Sequence, residues 1–142
     1  MTSLTLVRRI RARPETVFAA MTQPEGIVQW WGPDNGPVLF AETDVRVGGA
    51  FRVRFATLDG REHESFGIYL EVDPPHRLAM TWQWTHIESV ESRIEIHLRS
   101  IAEGTELTFT HALLPDAESR DNHAEGWTGA LNKLERLLSE KI

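Results

Sequence analysis

"ESRDNHAEGWTGALNKLERLLSEKI", residues 118–142, is a stretch in which apolar side chains recur at helical spacing. They form one stripe, with Ala130 and Leu137 beside it: Ala124, Trp127, Leu131, Leu134 and Leu138. Polar residues such as Glu125, Asn132 and Arg136 fall on the opposite side. A stripe of this kind is typical of a helix that covers an apolar surface. The stretch therefore predicts one long C-terminal helix packed against the rest of the chain.

The surface that this helix covers is predicted upstream, where the apolar residues from about residue 36 to 112 recur with a period of two. The alternation is clear in "FRVRF" (51–55), "RLAMTWQWT" (77–85) and "SRIEIHLRS" (92–100). In "ESFGIYLEV" (64–72) the same alternation assigns four residues to the core side: Phe66, Ile68, Leu70 and Val72. Each strand keeps one polar face, which is typical of an antiparallel sheet covered on one side.

The N-terminal part predicts one further strand and two short helices. "SLTLVRRIRA" (3–12) is interpreted as a strand that ends before Pro14. "PETVFAAMT" (14–22) and "PEGIVQW" (24–30) each begin with a proline, which is well accommodated in the first turn of a helix. The predicted fold is α+β, with a curved antiparallel sheet of about seven strands around the long C-terminal helix and two short helices after strand 1. We expect a single domain over residues 1–142.

Composition narrows the range of functions. The chain has no cysteine, which excludes disulfides and thiolate metal sites. Its formal net charge is -6, with basic and acidic residues mixed, so no nucleic-acid partner is expected. No run of about 18 apolar residues occurs, and the N-terminus does not resemble a cleaved leader. We therefore expect a cytoplasmic protein without membrane insertion, either a monomer or a homodimer.

Five blocks in order carry a resemblance to a known family. They are "RIRARPETVFAAMTQPEGIVQWWGP" (9–33), "DVRVGGAFRV" (44–53), "GIYLEVDPPHRLAMTWQW" (67–84), "GTELTFTH" (104–111) and "GWTGALNKLERLL" (126–138). The chain resembles the AHSA-type branch of the START-like superfamily, whose helix-grip fold is shared with the birch pollen allergen. The resemblance implies a cavity between the concave face of the sheet and the long helix, used for apolar or aromatic small molecules. Fold alone does not assign an activity, and co-chaperone activity is not carried over from the name-giving chaperone activator.

The aromatic residues predict where such a molecule binds. Trp82 and Trp84 share one strand face, and Trp127 lies on the apolar stripe of the helix that crosses it. The alternative is a filled core without a cavity, since large aromatic side chains are usually core residues. The candidate ligand-binding residues are Trp30, Phe51, Val53, Phe66, Met80, Trp82, Trp84, Phe109, His111, Trp127 and Leu131.

The adjacent pair Trp30 and Trp31 raises a separate question, because neighbouring residues cannot share one face of a strand or helix. We expect Trp31 to pack under the helices and Trp30 to line the mouth of the cavity. The alternative is that both rings seal the open end of the grip.

His111 ends the inward row of "GTELTFTH" and is the candidate polar group of the cavity. It could anchor a ligand, transfer protons, or be satisfied structurally. No carboxylate on the inward face accompanies it in the sequence pattern, which favours the anchor over proton transfer and leaves the structural alternative open. No cofactor and no metal are expected, and His86 with Glu88 is the nearest approach to a metal-binding pair. Gly48 and Gly49 predict a turn rather than a phosphate loop.

Three hypotheses for the function follow. The first is a domain that binds a small apolar or aromatic molecule. The second is an enzyme of cyclase, dehydratase or hydrolase type that uses His111 in the cavity. The third is a protein-interaction domain of co-chaperone-like kind. No paired carboxylates or nucleophile motif supports the second, so we expect binding rather than catalysis.

Overall fold

The computed structural model describes residues 2–85 and 90–139. A first strand is followed by two helices, six further strands and a long helix, as predicted. The elements are β1 (Thr2–Ile10), α1 (Pro14–Thr22), α2 (Pro24–Ile27), β2 (Val38–Thr43), β3 (Ala50–Ala56), β4 (Glu62–Asp73), β5 (Arg77–Trp84), β6 (Ser92–Ile101), β7 (Gly104–Leu114) and α3 (Ala117–Ser139).

All seven strands form one antiparallel sheet in the order β1-β7-β6-β5-β4-β3-β2. Strands β2 to β7 are therefore paired in chain order, and β1 pairs with β7 as the edge strand on that side of the sheet. The curved sheet holds α3 against its concave face, and this is the predicted helix-grip arrangement. Among the described residues, no helix is both long and apolar enough to cross a membrane.

The core lies where the apolar stripe of α3 meets the inward rows of the strands. Trp127, Ala130, Leu131, Leu134 and Leu138 are the buried residues of α3, in agreement with the predicted stripe. The alternation in β6 and β7 is also confirmed, because every second side chain is buried from Ser92 to Leu98 and from Thr105 to His111. The two rows comprise Ser92, Ile94, Ile96, Leu98, Thr105, Leu107, Phe109 and His111.

The predicted phase of β4 is wrong for Phe66, Ile68 and Leu70, whereas Val72, beyond a register shift between Tyr69 and Glu71, packs against the core as predicted. Its buried residues are Ser65, Gly67 and Tyr69, whereas Phe66 lies half-buried on the outer face of the sheet. Ile68 and Leu70 are exposed there as well. A β-carbon at Gly67 would overlap the carbonyl oxygen of Thr81 and approach the Phe51 ring, so the inward position admits only glycine. The sequence predicts the period of two in this strand, but the pairing of β4 with β3 and β5 determines which face of it is buried.

The turn before β3 agrees with its structural interpretation. Arg46 Nε donates to Asp44 Oδ2 over 2.9 Å within the segment that links β2 to β3. Gly48 has a φ of 85°, a conformation that glycine adopts readily. The segment is therefore a tight local turn that delivers the chain into β3.

Candidate functional site

A pocket of about 590 Å³ lies at one end of the grip. The first half of α3 forms one wall, and the ends of β3, β5 and β6 form the opposite wall. The segment that follows α2 forms a third side with Trp31, Gly32 and Pro33. The pocket thus lies at the ends of the strands rather than under the middle of the sheet.

The middle of the grip is a closed core, as the filled-core alternative expected. Five of the predicted ligand-binding residues are buried there, at most 5% exposed, and do not line the pocket: Phe51, Val53, Met80, Phe109 and Leu131. Phe66 is on the outer face of the sheet, so its predicted place in the cavity is wrong. Predicted residues that do line the pocket are Trp82, Trp84 and Trp127.

Trp82 is at the centre of an aromatic cluster beside the pocket. Its ring centroid lies 5.1 Å from that of Trp127, 5.3 Å from that of Trp84 and 5.8 Å from that of Trp31. Trp31 and Trp127 are themselves in edge contact at 5.3 Å. The predicted convergence of strand and helix tryptophans is therefore confirmed, and Trp31 joins them.

The adjacent tryptophans are oriented in the opposite sense to the prediction. Trp31 lines the pocket, whereas Trp30 is 1% exposed and does not. The Trp30 Nε1–H donates to the carbonyl oxygen of Ala20 over 2.9 Å, at the end of α1. Because α2 ends at Ile27, the two rings leave a tight turn in different directions. Trp30 therefore joins the two short helices and Trp31 turns toward α3.

His111 lies behind the pocket wall, fully buried, and both ring nitrogens are engaged. Trp127 Nε1–H donates to His111 Nδ1 over 3.1 Å, so the proton of the neutral ring is on Nε2. Nε2–H then donates to Ser92 Oγ over 2.7 Å, and that hydroxyl donates to the carbonyl oxygen of Trp82. This chain of hydrogen bonds connects α3, β7, β6 and β5.

Burial governs the charge state of His111. Burial, together with the neighbouring His123, lowers the pKa of His111 to about 3. The ring is therefore neutral near pH 7, which agrees with a Nδ1 atom that accepts a hydrogen bond. His111 is therefore a structural residue whose hydrogen bonds are made within the protein, which is one of the three alternatives considered for it. It does not line the pocket.

His123 is a pocket residue that the sequence analysis did not select. Its Nδ1 lies 2.8 Å from the carbonyl oxygen of Ser119, one turn earlier in α3. A carbonyl only accepts, so Nδ1 carries the proton and Nε2 retains a lone pair. Burial lowers the pKa of His123, although the Ser119 carbonyl opposes that shift. The spacing to Trp127 is four residues, so extending the apolar stripe by one turn could have found it.

Two buried polar atoms of the pocket residues lack a hydrogen-bond partner among the described residues. They are the Trp82 indole nitrogen Nε1, a donor, and His123 Nε2, an acceptor. Buried polar atoms are paired in the great majority of cases, so such atoms at a pocket indicate a place where a ligand can bind. The described residues contain no group of three or more potential metal ligands, and His86 and Glu88 lie outside the described residues.

Comparisons with known proteins agree with this architecture. Residues 11–139 match the family described as Activator of Hsp90 ATPase homolog 1-like protein. Protein CV1439 from Chromobacterium violaceum is 28% identical and superimposes with a TM-score of 0.89, with 98% of this chain and 99% of that chain covered. The AHSA1 (SPO3351) protein from Silicibacter pomeroyi is also 28% identical, with a TM-score of 0.88 and coverage of 99% and 100%.

The comparison with curated proteins found no match. The family match spans most of the chain, and the two solved structures share its whole fold. The chain therefore belongs to the family of Activator of Hsp90 ATPase homolog 1-like proteins.

Proposed function

We propose that this chain binds a small apolar or aromatic molecule in the pocket at the end of the grip. The observation that carries the proposal is a recess of about 590 Å³ whose walls include Trp31, Trp82, Trp84 and Trp127. Small-molecule sites are concave, measure roughly 300–1,000 Å³, and combine apolar walls with a few polar groups. The pocket fits this description.

The arrangement of the rings supports a planar ligand. Tryptophan offers a large apolar face, and aromatic rings attract one another in offset or edge-to-face geometry. The four tryptophans come from the segment after α2, from β5 and from α3. A planar molecule between these walls would contact rings on several sides.

His111 has no acid–base role in this proposal. Both of its ring nitrogens are hydrogen-bonded within the protein, and its depressed pKa keeps the ring neutral near pH 7. The hydrogen-bond chain instead supports the walls of the pocket. A binding role is therefore favoured over the enzyme hypothesis.

The proposal is tested by filling the pocket. Gly126 lines it, and a β-carbon there would meet only Pro33 Cβ, at 3.7 Å. Gly126→Leu should therefore place a bulky side chain in the pocket without displacing the backbone. Gly126→Ala is the matched control, because it removes the glycine but adds a single methyl group.

A panel of planar aromatic compounds should raise the melting temperature of the wild type and of Gly126→Ala with increasing concentration. The same compounds should quench tryptophan fluorescence in both proteins. Gly126→Leu should show neither response. The proposal is rejected if the wild type responds to no member of the panel, or if Gly126→Leu responds as the wild type does.

A further inference from the structure

Two residues that line the pocket carry a buried hydrogen-bond donor and a buried acceptor that the described part of the protein leaves unpaired. Trp82 Nε1–H can only donate, and the Trp82 side chain is 3% exposed. His123 Nε2 can only accept, because Nδ1 holds the ring proton against the Ser119 carbonyl. A buried donor or acceptor without a partner destabilises the protein, so a ligand that pairs both atoms would be selected.

The rings of Trp82 and His123 come from opposite walls of the pocket and share two ring neighbours. Trp82 belongs to β5 and His123 to α3. Both rings contact His111, with centroid distances of 5.7 Å for Trp82 and 4.8 Å for His123. Both rings also contact Trp84, at 5.3 Å and 6.0 Å. The unpaired donor and the unpaired acceptor therefore belong to one compact aromatic group.

The charges around the pocket argue against an anionic ligand. The acidic residues among its described lining are Asp116 and Glu118, and that lining includes no lysine or arginine. Lys133 Nζ donates to the carbonyl oxygens of Trp31 and Asp34 and is not part of the lining. The protein as a whole carries a formal charge of -6. A carboxylate would lose its hydration here without meeting a cation.

We propose, building on the function above, that the pocket selects a neutral planar aromatic molecule bearing a hydroxyl group. The hydroxyl oxygen accepts from Trp82 Nε1–H, and its hydrogen is donated to His123 Nε2. A hydrocarbon of the same shape leaves both protein atoms unpaired, and a carboxylate cannot donate to His123. The hydroxyl is the smallest group that both donates and accepts.

Three probes with one ring system test the inference: 2-naphthol, naphthalene and 2-naphthoate. Dissociation constants are measured by nuclear magnetic resonance titrations at pH 7.5. The indole N–H signals of the five tryptophans are followed in these titrations. Two hydrogen bonds predict that 2-naphthol binds roughly 5- to 100-fold more tightly than naphthalene. The Trp82 indole proton should move downfield with 2-naphthol and not with naphthalene. Its signal is assigned in the wild type by triple-resonance experiments.

Trp82→Phe and His123→Phe should each reduce the preference for 2-naphthol over naphthalene, measured as the ratio of the two dissociation constants within the same variant. Trp30→Phe is the matched control, because it also removes one indole N–H, but that N–H donates to the Ala20 carbonyl and the Trp30 ring does not line the pocket. The wild-type Trp82 signal provides a test that does not depend on the folding of any variant.

The outcomes separate this inference from the function on which it rests. If 2-naphthol and naphthalene bind equally in the wild type and Gly126→Leu abolishes both, the binding function stands and the hydroxyl inference is wrong. If 2-naphthoate binds more tightly than 2-naphthol, the pocket does not select a neutral ligand and the inference is wrong. If none of the three probes binds while other members of the aromatic panel do, the hydroxyl inference is wrong and the binding function stands; if the whole panel fails as well, both proposals are rejected.

Discussion

At the scale of single residues, His111 explains why a titratable group can be placed in an apolar interior. The ring accepts from Trp127 on α3 and donates to Ser92 on β6, so it pairs the buried Trp127 indole and links it to the Ser92 hydroxyl. A phenyl or aliphatic side chain of similar size could do neither. Its neutrality is enforced by burial and is a condition of its structural role.

The pH dependence of stability follows from this neutrality. The folded protein holds the pKa of His111 near 3, whereas the unfolded chain has the ordinary value of about 6.5. Between these values only the unfolded chain binds the proton, so stability is lost as pH falls below about 6.5, by up to ~1.4 kcal/mol per pH unit. His123, whose pKa is also lowered, acts in the same direction.

His111→Gln should remove the part of this dependence that belongs to His111. We expect the variant to be less stable than the wild type by about 1–3 kcal/mol at pH 7, because its amide cannot reproduce both hydrogen bonds. From pH 6.5 to pH 4 its stability should fall less steeply. Urea unfolding at several pH values measures both quantities, and equal slopes for the two proteins would contradict the assigned pKa.

At the scale of elements, the pocket depends on how the segment after α2 is attached to α3. Lys133 Nζ donates to the carbonyl oxygens of Trp31 and Asp34, and partial burial lowers the pKa of this amine. Gly129 lets the backbone of Pro33 approach the helix, since a β-carbon there would overlap the Pro33 carbonyl oxygen. These contacts hold Trp31 against Trp127.

The two glycines in the middle of α3 should therefore respond oppositely to the same substitution. Gly126→Ala should stabilise the protein by roughly 0.5–1 kcal/mol, because alanine favours helix and the site has room for a methyl group. Gly129→Ala should destabilise it by roughly 1–3 kcal/mol, because the overlap with Pro33 involves backbone that cannot move aside cheaply. Denaturant midpoints compare the pair. A gain in stability for Gly129→Ala would refute the close approach.

At the scale of the whole molecule, a closed core and an open end coexist in one grip. Val53, Leu107 and Leu131 are fully buried under the middle of the helix. The pocket occupies the end where the first half of α3 faces the strand ends. Burial of apolar side chains in the closed part stabilises the fold, and the open end has room for a ligand.

Native-state hydrogen exchange should reveal this division along the sheet. β6 and β7 each pair on both sides, whereas β2 is an edge strand with β3 as its one neighbour. Amides of β6 and β7 should exchange through global unfolding and show its full urea dependence. Amides of β2 should exchange at least about tenfold faster through local opening. Uniform protection across the sheet would contradict the prediction.

The element order and the position of the long helix could be predicted because they depend on local patterns. The stripe from Trp127 to Leu138 and the alternation in β6 and β7 are repeated often enough to identify helix and strand. The convergence of Trp82 and Trp127 followed from combining the two patterns. The candidate site was only partly predicted. Five of the predicted ligand-binding residues lie in the closed core, and Phe66 lies on the outer face of the sheet.

By itself, the sequence determined the kind of each element and its order along the chain, because the periods of two and 3.6 are set by neighbours a few residues apart. Only the tertiary structure decided which face of β4 is buried, which of Trp30 and Trp31 lines the pocket, and where His123 lies. Each of these depends on strand register or helix placement, which joins residues far apart in the chain. A period contains no information about such contacts, because shifting a strand by one residue preserves the period and reverses the face.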